Sequence, residues 1–425
     1  MRRLGVLLLA LGLAAGTACA KPAKPAHRPA PPPAHWVGSW AASQQIPEDR
    51  NTLPPDALRD ATLRQTVHLS IGGKMLRVVL TNAYGTAPLH LTAAHIARPG
   101  ATLGSIDPAT DRALTFSGRA DVTIPAGADM LSDPFPFDAP ALSDLTITLH
   151  YDAPPAQQTS HPGSRATSFY LPGDHVADAT LPGATAIAHW FQIEELDVLA
   201  PCAAIVALGD SLTDGHGATT DGNDRWTDAL ARRLQAAHMN IAVLNKGTGG
   251  GRVLDDGLGP SALARLDRDV LAPPGVKWLI LFEGINDLGV LTKDKPATEA
   301  EHTALVARLE AGYEQIIARA HAHGIKVYGS TLMPWLGFAT YHPDAQNEAD
   351  RQAVNAWLRA PGRFDALIDF DAVVRDASNP SVISALADSG DHLHPGPKGY
   401  QAMADAIPLK LFTAGARKPH RKARK

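Results

Sequence analysis

The sequence predicts a protein of two unlike parts, an antiparallel β-sandwich or jelly roll followed by a three-layer α/β/α domain around a parallel sheet. Across residues 36–199 apolar side chains alternate with polar ones, the pattern of strands with one buried face. From Cys202 onward short unbroken apolar runs alternate with segments of helical spacing. The change falls near Pro201. At 425 residues and 45% hydrophobic content, the chain is long enough for two or three cores, which excludes a chain disordered along most of its length.

The first 20 residues have the pattern of a secretory signal peptide. Two arginines precede an apolar run at 4–15, and Ala18-Cys19-Ala20 supplies the small residues of a cleavage site. The run is too short to cross a bilayer, so no transmembrane span is predicted. A lipoprotein with an acylated Cys19 is the alternative, but Gly16 stands where such a signal normally carries Leu or Val. We therefore expect a secreted or periplasmic protein.

Composition at the two ends and the change near the middle set the expected boundaries. Prolines favour an extended spacer after the signal, and the last residues form a basic tail. With a net charge of −4 and no basic stripe in the body of the chain, a nucleic-acid partner is not expected. The two cysteines are too few for a disulfide scaffold. The expected segments are a signal peptide at 1–20, a proline-rich linker at 21–35, a β-sandwich domain at 36–200, an α/β/α domain at 201–415 and a basic tail at 416–425.

Alternating runs in the first part predict its strands. One such run ends at Ile71, the pair Gly72-Gly73 follows, and a second run begins directly after it, which predicts a β-hairpin with a primed turn. The inward-facing residues of these runs and of a later one are Leu63, Val67, Leu69, Ile71, Leu76, Val78, Leu80, Leu145, Ile147 and Leu149.

Unbroken apolar runs in the second part predict strands that are buried on both faces. The runs are 205–208, 241–244, 278–282, 325–328 and 366–368. Amphipathic segments between them, such as those around Leu230 and Leu309, predict helices. Such an alternation implies right-handed crossovers and a parallel sheet, and chemistry collects at the carboxyl ends of its strands.

Candidate catalytic groups follow the first two of these strands. The first strand runs into Gly209-Asp210-Ser211-Leu212, where a tight turn before a helix would expose the Ser211 hydroxyl as a nucleophile. A helix cap is an equally good reading of that tetrapeptide alone. After the second strand, Gly247 either lets a backbone N–H approach a reacting oxygen or forms a flexible turn. The glycines here do not match a nucleotide-binding spacing.

The third strand and the last helix add two more candidates. Asn286 follows the third strand, and its amide could donate to an oxyanion or belong to a turn. Before the last helix, Asp391 and His394 are spaced so that the carboxylate could fix the imidazole tautomer for proton transfer. A metal site built from Asp391, His392 and His394 is the competing interpretation, but no further ligand motif supports it. Four such groups at strand ends are unlikely to coincide by accident.

Taken in order, these motifs resemble those of the SGNH or GDSL hydrolase superfamily of esterases and lipases. The matching blocks cover 202–412, and the segment that begins at Trp36 is similar to the N-terminal region of secreted bacterial members. The resemblance implies a flavodoxin-like sheet, a nucleophile, a base and an orienting carboxylate, and an oxyanion hole. It assigns these roles to Ser211, His394 and Asp391, and to the N–H groups of Ser211 and Gly247 with the side chain of Asn286. No metal or cofactor is implied.

The expected function is a serine esterase whose substrate is a carboxylic ester, with acetylated carbohydrate preferred. That preference rests on analogy with similar secreted enzymes. Trp335, Phe338 and Tyr341, after the fourth strand, could stack on a sugar. A lysophospholipase or small-ester acylhydrolase, an acyl transferase and a non-catalytic glycan-binding protein remain alternatives. The sequence predicts no particular oligomeric state.

Overall fold

The first half of the chain folds into antiparallel strands. A computed structural model describes residues 33–413, so the predicted signal peptide, Cys19, the linker up to residue 32 and the basic tail lie outside the described residues. The strands of this half are β1 His35–Ala41, β2 Ala61–His68, β3 Gly73–Thr81, β4 Leu89–Ala97, β5 Arg112–Ala113, β6 Val122–Ile124, β7 Asp129–Leu131, β8 Phe135–Ala139, β9 Asp144–Tyr151, β10 Ser160–His161, β11 Ser168–Pro172, β12 Thr185–Ile187, β13 Trp190–Phe191 and β14 Ile193–Ala200.

These strands form two larger sheets and one small pair. The first sheet has the order β1-β14-β3-β7, with β8 also on β3, and the second has the order β12-β11-β2-β9-β4-β5, with β6 also on β4. Strands β10 and β13 pair with each other. The alternating residues at Leu63, Leu76 and Leu149 are fully buried. An antiparallel, β-rich first half is therefore confirmed.

The predicted hairpin through Gly72-Gly73 is wrong. Strands β2 and β3 lie in different sheets, β2 beside β9 and β11, and β3 beside β14. At the turn the chain bonds to β1 instead, where Ser70 N–H donates to the carbonyl of Ser39 over 3.0 Å. Both strands bury one face in the same core, so the same alternation fits a crossing between sheets as well as a hairpin.

The second half is a parallel sheet flanked by helices. Its strands are β15 Ala203–Gly209, β16 Ile241–Gly247, β17 Val276–Phe282, β18 Lys326–Ser330 and β19 Ala366–Ile368, in the order β16-β15-β17-β18-β19. That is the flavodoxin-like order, so the predicted three-layer α/β/α fold is confirmed. Its helices are α1 Ser211–Asp214, α2 Trp226–Ala236, α3 Ala262–Leu266, α4 Ile285–Thr292, α5 Glu299–Ala322, α6 Ala345–Arg359, α7 Phe370–Val374 and α8 Pro397–Ala406.

The two halves pack directly on each other. Strand β1 lies against β16, and the Ser70 hydroxyl accepts from the N–H of Val243 over 3.0 Å. Buried Lys246 of β16 donates to the carbonyl of Ala42 over 2.9 Å. Apolar residues of both halves belong to one continuous core. The domain boundary near residue 200 remains a prediction. Between residues 33 and 413, no helix has both the length and the apolar composition that a membrane crossing needs.

Candidate active site

The turn after β15 places Ser211 at the start of a short helix. Asp210 caps that helix, and its carboxylate accepts from the N–H of Leu212 over 2.9 Å. Burial raises the pKa of Asp210 to about 7, although that N–H acts in the opposite direction. Asp210 is therefore the helix cap, and the next residue, Ser211, lines the cleft with its hydroxyl not used as a cap.

Ser211, His394 and Asp391 lie in one hydrogen-bonded line. Ser211 Oγ is 2.8 Å from His394 Nε2, and His394 Nδ1 is 2.6 Å from Asp391 Oδ2. Ser211 is 8% exposed and His394 is 5% exposed, so bulk water is largely kept from the pair. This order of hydroxyl, imidazole and carboxylate is the geometry that makes a serine nucleophilic.

The turn that carries the carboxylate also holds it in its ionised form. Asp391 Oδ1 accepts from the N–H groups of Leu393, over 3.0 Å, and His394, over 2.8 Å. Burial alone would raise the pKa of Asp391, but the His394 ring and these N–H groups outweigh burial and hold it well below its usual range. An ionised carboxylate keeps the proton on Nδ1 and leaves Nε2 free to accept one.

Two rings enclose the imidazole of His394. The His216 ring lies 4.1 Å from it, centroid to centroid, and the Phe338 ring lies 5.7 Å away. Arg165 Nη2 donates to His216 Nδ1 over 3.0 Å. Burial, together with the charges of His394 and Arg165, lowers the pKa of His216 to about 4. His216 is therefore neutral at pH 7.

Gly247 does not have the role that the sequence analysis gave it. Its N–H already donates to Asn245 Oδ1 over 2.9 Å, so it is not free for an oxyanion. A Cβ at this position would lie 2.2 Å from the backbone nitrogen of Asp214, which explains why a glycine stands there. Gly249 and Gly250 line the cleft beside Ser211 instead, and their N–H groups donate to no acceptor within residues 33–413.

Asn286 reaches the same cleft and has a fixed orientation. Its Nδ2 donates to the carbonyl of Gly251 over 2.9 Å, and its Oδ1 accepts from the Tyr341 hydroxyl over 2.9 Å. Burial raises the pKa of Tyr341 to about 12, so this hydroxyl keeps its proton. One N–H of the amide is left to donate into the cleft. Tyr341 is a functional contact that spacing along the sequence did not indicate.

The aromatic residues after β18 do not form a sugar platform. Trp335 is fully buried, and Tyr341 is 9% exposed and holds Asn286. Phe338 is the member of the trio that is partly exposed in the cleft.

The competing metal site is not formed as expected. His392 is exposed and bonds through Nδ1 to Asp388 Oδ2 over 2.9 Å, away from Ser211. His216, Asp391 and His394 do bring ligand atoms within 4.8 Å of one another. However, the Arg165 guanidinium already occupies His216 Nδ1, and its positive charge opposes a cation at that place.

The cleft around Ser211 has a volume of about 520 Å³ and is lined by both halves of the chain. The first half supplies nine lining residues, which are Gln45, Glu48, Arg50, Asn51, Pro162, Gly163, Arg165, Ala188 and His189. Sequence motifs gave no sign of these residues, because they lie in connecting segments and share no spacing with the motifs around Ser211, Asn286 and His394. Asp214 and His216, which follow Ser211 closely in the sequence, also line the cleft.

Comparison with known proteins gives one family match and several similar solved structures. Residues 207–402 match the model of the GDSL-like Lipase/Acylhydrolase family. A G-D-S-L family protein from Desulfitobacterium hafniense DCB-2 is 22% identical, with a TM-score of 0.36, over 48% of this chain and 97% of that one. A lipase/acylhydrolase from Enterococcus faecalis is 23% identical, with a TM-score of 0.36, over 49% of this chain and 95% of that one. An acetyl xylan esterase from Geobacillus stearothermophilus is 20% identical, with a TM-score of 0.36, over 49% of this chain and 93% of that one.

No curated protein matches the chain. The family match spans the turn of Ser211, the third strand end at Asn286 and the Asp391–His394 turn. Residues 207–402 therefore belong to the GDSL-like lipase/acylhydrolase family, within the SGNH/GDSL hydrolase superfamily.

Proposed function

We propose that this protein is a secreted or periplasmic serine esterase that hydrolyses short-acyl, chiefly acetyl, esters of carbohydrates. The observation that carries the proposal is the 2.8 Å contact between Ser211 Oγ and His394 Nε2, with Asp391 bound behind the imidazole. The secretory pattern of the first 20 residues supports the location.

The reaction follows from these contacts. Ser211 Oγ attacks the ester carbonyl carbon while His394 Nε2 accepts the hydroxyl proton. The bond to the leaving oxygen then breaks, and His394 gives its proton to the departing alcohol. Water attacks the acyl-enzyme in the same way, and the acid leaves with Ser211 restored. Asp391 keeps the imidazole in the correct tautomer throughout.

Three donors beside the Ser211 hydroxyl could serve the oxyanion. The N–H of Ser211 donates to no acceptor among the described residues, and one N–H of Asn286 is also without an acceptor there. The third donor comes from Gly249 or Gly250, which replace Gly247 in this role. Gly250 has a φ of +67°, a backbone conformation that glycine adopts without strain.

The cleft wall favours a short acyl group. Large apolar side chains that are exposed lie scattered over the described surface, and of these only Leu258 lines the cleft. A long acyl chain needs a continuous apolar surface to leave water. Polar residues on the wall from the first half, such as Gln45 and Asn51, suit a hydroxylated alcohol instead.

The experiment is a substrate series with one active-site variant. Purified protein is incubated with acetylated xylan, a lysophospholipid and nitrophenyl esters from acetate to decanoate, and the released acid is measured. We expect acetate release to be fastest, and Ser211→Ala to lose it without losing its fold by circular dichroism. A fluorophosphonate should label Ser211 alone, as peptide mass spectrometry would show.

Two outcomes would contradict the proposal. Folded Ser211→Ala with substantial activity would exclude a serine mechanism, and loss of activity on chelation would then favour a metal. Faster release of decanoate than of acetate would contradict the short-acyl preference and favour a lipid ester.

A further inference from the structure

The β-rich half forms one wall of the catalytic cleft. Residues of two of its loops, around 45–51 and 162–165, face Ser211 across the cleft. The second half contributes apolar residues to the lining of the same cleft, among them Leu258, Phe338 and Leu393. Selection of the substrate is therefore shared between the halves, whereas the bond-making groups all belong to the second one.

Buried contacts fix the position of this wall relative to the nucleophile. His161 Nε2 is 2.8 Å from Asp214 Oδ1, and His161 Nδ1 is 2.7 Å from the carbonyl of Ser43. Both side chains are almost fully buried. Arg225 also bonds to the carbonyls of Asp214 and Ser164. The loop at 162–165 is thus held against the helix that begins with Ser211.

Arg165 has the one guanidinium on this wall whose charge is not neutralised by a protein carboxylate. Within residues 33–413 Arg165 forms no ion pair with a carboxylate, its Nη2 donates to His216, and its buried Nε has no hydrogen-bond partner. Other charged cleft residues have partners, Arg50 with Glu48 of the cleft over 3.7 Å and Asp214 with His161, which lies outside the cleft lining. Arg165 also has a φ of +46°, which is uncommon for a residue with a side chain.

The place of this charge identifies the part of the substrate that meets it. Arg165 contacts His216, and the His216 ring lies against His394, which protonates the departing alcohol in the proposed reaction. Arg165, His216 and His394 line the same cleft, so an alcohol that takes its proton from His394 would lie on the side of the cleft that holds Arg165. The planar guanidinium matches carboxylate and phosphate groups.

We propose that Arg165 is a specificity-determining residue that binds an anionic group, a carboxylate or a phosphate, on the alcohol portion of the ester. This inference rests on the proposed esterase function. It narrows the substrate class to acetyl esters of acidic alcohols, of which sugar acids and glycerol phosphates are the two sources.

Matched pairs of esters test this role. The four probes are an acetylated methyl glucuronoside with its neutral glucoside, and 1-acetylglycerol 3-phosphate with neutral 1-acetylglycerol. We expect the KM of each anionic ester to lie about tenfold or more below that of its neutral partner, the range of a charge-assisted hydrogen bond. Arg165→Gln should remove that difference, and Arg165→Lys should restore part of it. The control is Arg59→Gln, because Arg59 is exposed, pairs with Asp56 and lies outside the cleft lining. This variant should leave the KM difference within each pair unchanged.

Salt provides a second measurement that needs no variant. Raising the ionic strength from about 0.05 M to about 0.5 M should raise KM for the anionic esters and leave it unchanged for the neutral ones. Equal KM values within each pair, with no salt dependence, would overturn the role of Arg165 and leave the esterase function standing. Hydrolysis of none of the four esters would overturn both. A larger effect on one pair would identify the carboxylate or the phosphate as the natural anion.

Discussion

Asn286 has two hydrogen bonds that determine the direction of its amide. Gly251 accepts from Nδ2 and Tyr341 donates to Oδ1, so the amide, which lines the cleft, is held in one orientation and keeps one N–H without an acceptor among the described residues. A donor fixed in advance stabilises the oxyanion of the transition state more than the neutral carbonyl of the substrate.

Replacing this donor should therefore affect turnover far more than binding. We expect Asn286→Ala to lower kcat by roughly 10²–10³-fold with little change in KM, the cost of losing one oxyanion donor. Steady-state kinetics on a nitrophenyl acetate would measure it, with exposed Asn379→Ala as the control. A raised KM with unchanged kcat would make Asn286 a substrate-binding residue instead.

His216 connects the site to the pH dependence of stability. Its pKa is about 4 in the folded protein against 6.5 for the free side chain, so the unfolded chain binds more protons between these values. The contribution of His216 to the free energy of unfolding is complete above pH 6.5 and is lost as the pH falls toward 4. Because half of the side chain is exposed, solvent screening reduces the effect.

His216→Gln should remove this part of the pH dependence. We expect the loss in the free energy of unfolding between pH 7 and pH 5 to be smaller in the variant than in the unchanged protein. Urea denaturation at the two pH values measures the difference. An identical loss in both proteins would show that other groups account for it.

At the scale of elements, Arg265 of α3 links the ends of two strands. Its guanidinium donates to the carbonyl of Gly209 over 2.9 Å and to that of Lys246 over 2.6 Å. It also binds Asp269 over 3.0 Å and Glu283 over 2.9 Å, and all of these side chains are buried. Burial raises the pKa of Glu283 to about 8, although Arg265 acts in the opposite direction. One arginine thus supports the turn before Ser211.

Removing that arginine should destabilise the protein strongly. Arg265→Met would leave buried acidic groups without a partner, so we expect a loss of about 3–5 kcal/mol in the free energy of unfolding. Arg308→Met is the matched control, because Arg308 pairs with Asp255 on the surface and should cost only about 0–1 kcal/mol. Equal losses for the two variants in urea titrations would contradict a supporting role for Arg265.

Elements with a short-range sequence pattern could be predicted, whereas the pairing of strands that are distant in the sequence could not. The strands of the parallel sheet were predicted because burial on both faces leaves an unbroken apolar run, as at Trp278–Phe282 in β17. The pairing of β2 with its neighbours was not predicted, because alternation determines which face of a strand is buried but not which strand lies beside it. The Asp391–His394 contact was predictable because three residues of one turn bring the groups together.

At the scale of the whole molecule, the wall of the cleft could not be predicted. His161 and Asp214 are 53 residues apart, and their contact depends on how the β-rich half packs on the sheet. Arg165 approaches His216 for the same reason. No short-range pattern encodes such contacts, so the sequence indicated the candidate catalytic groups but not the surface that lies across the cleft from them.

The shared core predicts that the two halves unfold together. Strand β1 packs on β16, and the Ser70 and Lys246 side chains bond across the contact. We expect residues 33–425 to show one calorimetric transition with equal calorimetric and van't Hoff enthalpies. Two resolved transitions, or a stable fold of residues 202–425 alone, would contradict this and support two independent domains.

The division of the cleft between the two halves has a consequence for protein engineering. The loops at 45–51 and 162–165 touch the substrate side of the cleft but contribute none of the Ser211, His394 or Asp391 groups. The other positions of these loops can therefore be diversified in a library while the chemistry stays intact, provided that Gly163, where a Cβ would collide with Asp214, and the bond between His161 and Asp214 are kept. Selectivity and turnover become separately adjustable, each from its own region of one gene.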